Sequence, residues 1–243
     1  MDRDEQLAEA FVELADSLAR DVDPVVLLDR LVGRVLEFSG ADAAGVMVAT
    51  LRGTLRTVAV TDEGTGLHEL FELQAGEGPC LDCYRSDTAV DVPDLTSSEG
   101  RWPRMAPLAV RSGFRATHAL PLRVNHQTIG AINLLCARPG GRSPAELRVA
   151  QALADVGAIA LYQWSPESAR PTDVLRQVEA ALAAKSTVEI AQGMLAEYGD
   201  LPLADALAAL RVYSRHNGGR LLDTAHALVG RSIDPHAVLT DQH

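Results

Sequence analysis

At 243 residues, 47% of them hydrophobic, the chain is long enough for one large domain or two smaller ones with buried cores, and it reads as soluble and globular. No stretch approaches the roughly eighteen uninterrupted apolar residues of a membrane span, and the charged start, MDRDEQLAEA, lacks the apolar run of a secretory signal. The expected location is therefore the cytoplasm, with Cys80, Cys83 and Cys136 reduced. The net charge of −11 excludes indiscriminate attraction to nucleic acid or to an anionic membrane.

The first two segments read as helices. DEQLAEAFVELADSLAR repeats apolar residues at Leu7, Phe11, Leu14 and Leu18, and DPVVLLDRLVGRVLEF opens with Asp23 as N-cap and Pro24 at the first helical position, with Gly40 as its stop. The period then changes. AAGVMVAT and TLRTVAVT are short β-prone runs joined by LRGT, and ATHALPLRVNHQTIGAINLLCA reads as two longer strands that meet near VNHQT. Between these pairs lie GEGPCLDCYRSD, read as turn chemistry around Gly76, Gly78 and Pro79, a short strand AVDVPDL, and a helix in GRWPRMAPLAVRSG. There is no regular strand-helix repeat, so the expected architecture is an antiparallel sheet covered by helices, an α+β fold.

SPAELRVAQALADVGAIALYQW restarts a helix, with Ser143 as cap, Pro144 next and Glu146 placed to reach back as a capping box. Its expected apolar face is Leu147, Ala150, Leu153, Ala154 and Ile159, small enough to pack closely on another helix. SPESARP, 165–171, reads as a linker. Three helices are expected after it. Leu175, Val178, Leu182, Val188, Ala191 and Leu195 mark the first, Leu203, Leu207 and Leu210 the second, and Leu221, Ala225 and Leu228 the third, with Gly218, Gly219 and Gly230 at the stops. The charge is unevenly divided: residues 1–169 carry 15 Arg against 24 acids, a net −9, and residues 170–235 carry 7 Lys plus Arg against 8 acids, a net −1.

QAGEGPCLDC, VDVPDL, RWPRMAPLAVRSGFRATHALPLRV and IGAINLL together resemble the GAF sensor domain over residues 1–164. LAAKSTVEIAQGMLAEYG, ADALAALRVYSR and RLLDTAHALV are similar to the ANTAR domain, an all-α three-helix RNA-binding module, over 172–232, leaving 233–243 as a tail. The resemblance implies a sensor followed by transcription antitermination, in which paired stem-loops of a nascent transcript are stabilised against a terminator hairpin. It points to Lys185, Arg211, Arg215 and Arg220 as the RNA-binding cations, with Ala191 and Gly193 permitting close helix approach. The family's asparagine between helices two and three falls on Gly218, with Asn217 one place earlier. With only seven Lys plus Arg in residues 170–235, a homodimer built through the helices flanking the sensor would double the supply of cations.

The cysteines leave alternatives open. Cys80 and Cys83 could serve as a thiol redox switch, because Arg85 nearby would lower a thiol pKa while Asp82 opposes it. A zinc site needs four ligands, and Cys136, His68, His118 and His126 show no second paired spacing, so no metal and no cofactor are expected. Some GAF relatives are methionine sulfoxide reductases, an enzyme alternative for which no set of three positioned cysteines is visible. Haem ligation through His118 or His126 is a third reading. Arg101 and Trp102 are candidate ligand-facing residues, with Trp102 also read as an anchor between helix and sheet. The expected partners are RNA, a second copy of the chain and a small molecule in the sensor domain, with no membrane.

Overall fold

The computed structural model describes residues 2–16, 24–61, 65–140, 142–163 and 171–240. The chain divides into two compact units, Met1–Glu179 and Ala180–His243. The expected linker lies outside the described residues except for Pro171, as do Asp23 and Leu18.

The first unit is built on a five-stranded antiparallel sheet among the described residues, ordered β2-β1-β5-β4-β3. Its strands are β1 (Ala43–Ala49), β2 (Leu55–Val60), β3 (Val90–Val92), β4 (Ala116–Val124) and β5 (Gln127–Cys136). The two expected hairpins are present. β4 and β5 meet at Asn125 and His126, both with positive φ (48° and 63°), the geometry of a tight two-residue connection whose twist matches the strands it joins. β1, β4 and β5 are buried along almost their whole length, which requires helices on both faces and explains why their sequences run apolar instead of alternating.

One face is covered by α1 (Arg3–Asp16), α2 (Pro24–Ser39) and α6 (Pro144–Gln163). The capping box of α6 forms as expected: the Ser143 amide donates to Glu146 Oε2 at 2.8 Å, and the Glu146 amide donates to Ser143 Oγ at 3.2 Å. α6 lies close against α2, since a β carbon on Gly157 would overlap the side chain of Leu31. The buried stripe of α6 includes Ala150, Leu153, Ala154, Ala158, Ala160 and Leu161. Ile159, expected on that stripe, is 48% exposed, because at about 3.6 residues per turn position 159 falls on the side of the helix opposite the buried residues.

The other face is covered by two helices that the sequence reading did not anticipate, α3 (Thr65–Gln74) and α4 (Pro79–Ser86), followed by a single 3₁₀ turn at Leu95–Ser97 and by α5 (Met105–Arg111). α3 buries Leu67, Leu70 and Phe71, a one-face pattern too short to stand out beside the turn residues after it. Gly78 does need its freedom, with φ at 140°, but Pro79 then starts α4. The motif read as loop chemistry is thus a turn feeding a helix, and Cys80 and Cys83 sit on that helix.

α7 (Pro171–Gly199) runs through the division between the units. In the second unit its later turns share a core with α8 (Leu203–His216), α9 (Leu221–Val229) and α10 (Pro235–Thr240): Ala191, Leu195, Ala206, Leu210, Ala225, Leu228 and Val238. Three helices are where they were expected. The fourth replaces part of the expected tail, because Asp234 Oδ1 accepts the His236 amide at 2.8 Å and starts a turn that puts Val238 into the core.

Candidate nucleic-acid interface and sensor site

The candidate cations of the second unit lie on α7, on α8 and at the N-cap of α9. α8 turns Ala206, Ala209, Leu210 and Ser214 inward, which places Arg211 and Arg215 together on an exposed flank, one turn apart. Among the described residues neither guanidinium is ion-paired. Gly218, with φ at 64°, and the Asn217 amide bonded to the Tyr213 carbonyl at 2.9 Å close α8 and lead to Arg220 at the start of α9. A left-handed turn residue is best served by glycine or asparagine, so Gly218 can stand where the related module has asparagine without a shift of register.

Arg220 is highly exposed, but its guanidinium grips both oxygens of Asp223 at 3.0 and 3.2 Å, which raises its own pKa and lowers that of Asp223. Lys185, on α7, has Nζ 4.0 Å from Glu189 Oε1. Arg211 and Arg215 thus share one exposed flank of α8, Arg220 stands at the N-cap of α9, and Lys185 lies on a separate helix, α7. Of the two small residues expected to permit close packing, Ala191 is fully buried in the core. Gly193 is different: a β carbon there would meet nothing within 4 Å, so no packing among the described residues requires it.

In the first unit the candidate residues separate into distinct structural roles. Trp102 is 2% exposed, and its indole donates to Asp82 Oδ2 at 3.2 Å. Arg101 stacks over the Trp102 ring, 4.6 Å from its centroid, and pairs with the same Asp82 oxygen at 2.8 Å. Asp82, noticed in the sequence only as a neighbour of the cysteines, thus ties α4 to the segment before α5. Glu77 does similar work, accepting the amides of Arg104 and Met105 at the start of α5. Neither role has a local sequence signature, since both partners lie more than eighteen residues away.

Cys80 and Cys83 are free, buried thiols on α4. Burial, followed by the neighbouring thiol, pushes Cys80 well above the usual thiol range, and burial pushes Cys83 up to about 12 against the opposing pull of Arg123. Thiolate is the reactive form, so this setting works against a redox switch. Arg85, the residue expected to activate them, is not among the causes of either shift.

His118 is buried on β4. The Arg142 amide donates to Nε2 at 3.3 Å, which puts the ring proton on Nδ1, where Asp91 Oδ1 stands 2.9 Å away off the line of a good N–H bond. Burial lowers its pKa more than Asp91 raises it. Nε2 is taken up by the Arg142 amide and Nδ1 faces Asp91 without an aligned hydrogen bond, so the ring joins β4 to the start of α6 as a packed strut. Among the described residues no cluster of three or more His, Cys, Asp or Glu could hold a metal, and no helix is long and apolar enough to cross a membrane.

Residues 23–161, more than half of the chain, match the GAF domain family. The chain belongs to the GAF domain family. An ANTAR domain match follows at residues 176–229, so a GAF domain precedes an ANTAR domain as the sequence motifs implied. The GAF domain of Acinetobacter phosphoenolpyruvate-protein phosphotransferase is similar in structure, with a TM-score of 0.51 at 11% identity over 74% of this chain and 97% of that one. The free methionine-R-sulfoxide reductase of Neisseria meningitidis, solved with its substrate, has a TM-score of 0.50 at 15% identity over 73% of this chain and 94% of its own. At such identities the likeness shows the GAF fold alone. No curated protein matches the chain. The order of the two domains supports a regulator with a sensor and an RNA-binding output.

Proposed function

We propose that the protein is a signal-responsive transcription antitermination regulator that works in the cytoplasm as a homodimer. Its ANTAR domain binds stem-loops of a nascent transcript, and its GAF domain, on receiving a small molecule, changes how well it does so. The observation that carries this reading is the exposed Arg211–Arg215 pair, free of carboxylate partners among the described residues, in the part of the chain that matches ANTAR. In a chain of net charge −11, binding RNA requires local concentration of cations, and these two side chains are available to phosphate without first breaking an ion pair. Arg220 and Lys185 would add to the face at the cost of their contacts to Asp223 and Glu189. A sensor can shift such an equilibrium only by its ligand's preference between the two arrangements.

The test is selection of RNA from a genomic pool by the full-length protein, then filter binding of the selected stem-loop across a salt series. Replacing Arg211 and Arg215 together with Ala should weaken binding at least tenfold and lower the salt slope by roughly two units if each contacts one phosphate. Transcription in vitro through a terminator carrying the selected stem-loop should read through more often when wild-type protein is present. Unchanged RNA affinity in the double variant would remove these residues from the interface.

A further inference from the structure

The GAF domain holds a buried polar chain that its packing does not account for. Gly45 and Ala119 both stand opposite Asn133, and Thr117 lies two residues along from Ala119, so all four share one face of the sheet. α3 covers this face, its Phe71 ring so near Gly45 that any side chain there would overlap it. Thr117, Asn133 and Gln74, the last residue of α3, are each fully buried. Thr117 Oγ1 donates to Asn133 Oδ1 at 2.5 Å, and Asn133 Nδ2 donates to Gln74 Oε1 at 2.9 Å. The chain ends at Gln74 Nε2, a buried donor with no partner among the described residues.

A buried donor without a partner is costly and needs a reason. Reversing both amides does not remove the problem. Gln74 would then donate to Asn133 and Asn133 to Thr117, and the open atom would be Gln74 Oε1. The open end of the chain is thus at Gln74 in either sense, and a group able both to donate and to accept satisfies it in both. Charge narrows the chemistry further. The buried polar residues described in this unit are Ser39, Gln74, Ser98, Thr117, His118, Thr128 and Asn133, with no Lys, Arg, Asp or Glu among them, and His118 alternates to the opposite face of β4. An ionic ligand at Gln74 would stay uncompensated.

We propose that Gln74, Asn133 and Thr117 form the point at which the GAF domain recognises an uncharged small molecule bearing a carboxamide-like group. This rests on the reading of the domain as a small-molecule sensor. Gln74 makes the direct contact, and Asn133 and Thr117 hold its amide in position.

The experiment uses full-length protein and two matched pairs of probes, nicotinamide with nicotinate and benzamide with benzoate, followed by ligand-observed NMR. At least one amide should bind with a Kd of about 1 mM or below and its carboxylate at least tenfold more weakly. Gln74→Met, of similar length, should lose that binding at least tenfold while still unfolding cooperatively without probe, since it exchanges the open donor at Gln74 for one at Asn133 Nδ2. Should Gln74→Met fail to fold, Thr117→Val supplies the test by weakening binding several-fold. Binding of neither amide, equal binding of amides and carboxylates, indifference to both substitutions, or an ordered water satisfying Gln74 in a protein that ignores both amides would each overturn the proposal. Adding the small-molecule fraction of a cell extract to the RNA-binding assay tests the sensor reading separately. A response there beside a negative probe result would sink the site and leave the sensor standing.

Discussion

His118 shows how a residue type that invites functional speculation can be fixed by its surroundings. Its neutral ring is held by the Arg142 amide and faced by Asp91, with Arg142 also disfavouring the charged form. Because its folded pKa lies below the ordinary 6.5, the unfolded chain binds a proton first as pH falls. Stability from this group is complete above about pH 6.5 and declines as pH drops toward the lowered value. Thermal melts between neutral and mildly acidic pH should show this decline, and His118→Gln should flatten it. Trp102 makes the complementary case. Its buried ring and its bond to Asp82 predict that Trp102→Ala costs about 3–5 kcal/mol in denaturant titration, whereas a purely ligand-facing Trp would cost far less.

Among the elements, α2 and α6 depend on Gly157, whose lack of a β carbon lets Leu31 approach. Gly157→Val should destabilise the GAF domain by about 1–3 kcal/mol, read from its denaturation midpoint, because the interface must part to admit the side chain. The capping box at Ser143 contributes on a smaller scale. Glu146 is held below the usual carboxylate range by the Ser143 amide and hydroxyl, and Ser143→Ala should cost about 1 kcal/mol. α10 is an equally direct test: ending the chain after Ile233 removes Val238 from the core of the second unit and should lower the melting temperature of its helical signal.

For the whole molecule, the question is how a weakly charged module gathers enough cations. The proposed dimer through the helices beside the sensor would answer it, and Val12 on α1 and Ile159 on α6 are exposed apolar side chains on neighbouring helices. Sedimentation equilibrium at micromolar concentration should show a dimer, and Ile159→Asp should shift it toward monomer with a parallel loss of RNA affinity. A wild-type protein that sediments only as monomer would break the link between pairing and RNA binding.

The sequence by itself determined the helices that begin with a cap, such as Ser143 with Glu146, the two hairpins, and the order of a GAF domain before an ANTAR domain. These rest on local chemistry or on short ordered motifs, so neighbouring residues suffice to specify them. Tertiary structure alone decided that the cysteine motif is the buried face of α4, that Ile159 looks outward, and that α10 completes a core. It also joined Asp82 to Trp102 and Gln74 to Asn133 across wide gaps in the chain. Such pairings arise only when sheet and helices close on one another, because desolvation and partner choice are properties of the packed interior and leave no periodic trace along the chain.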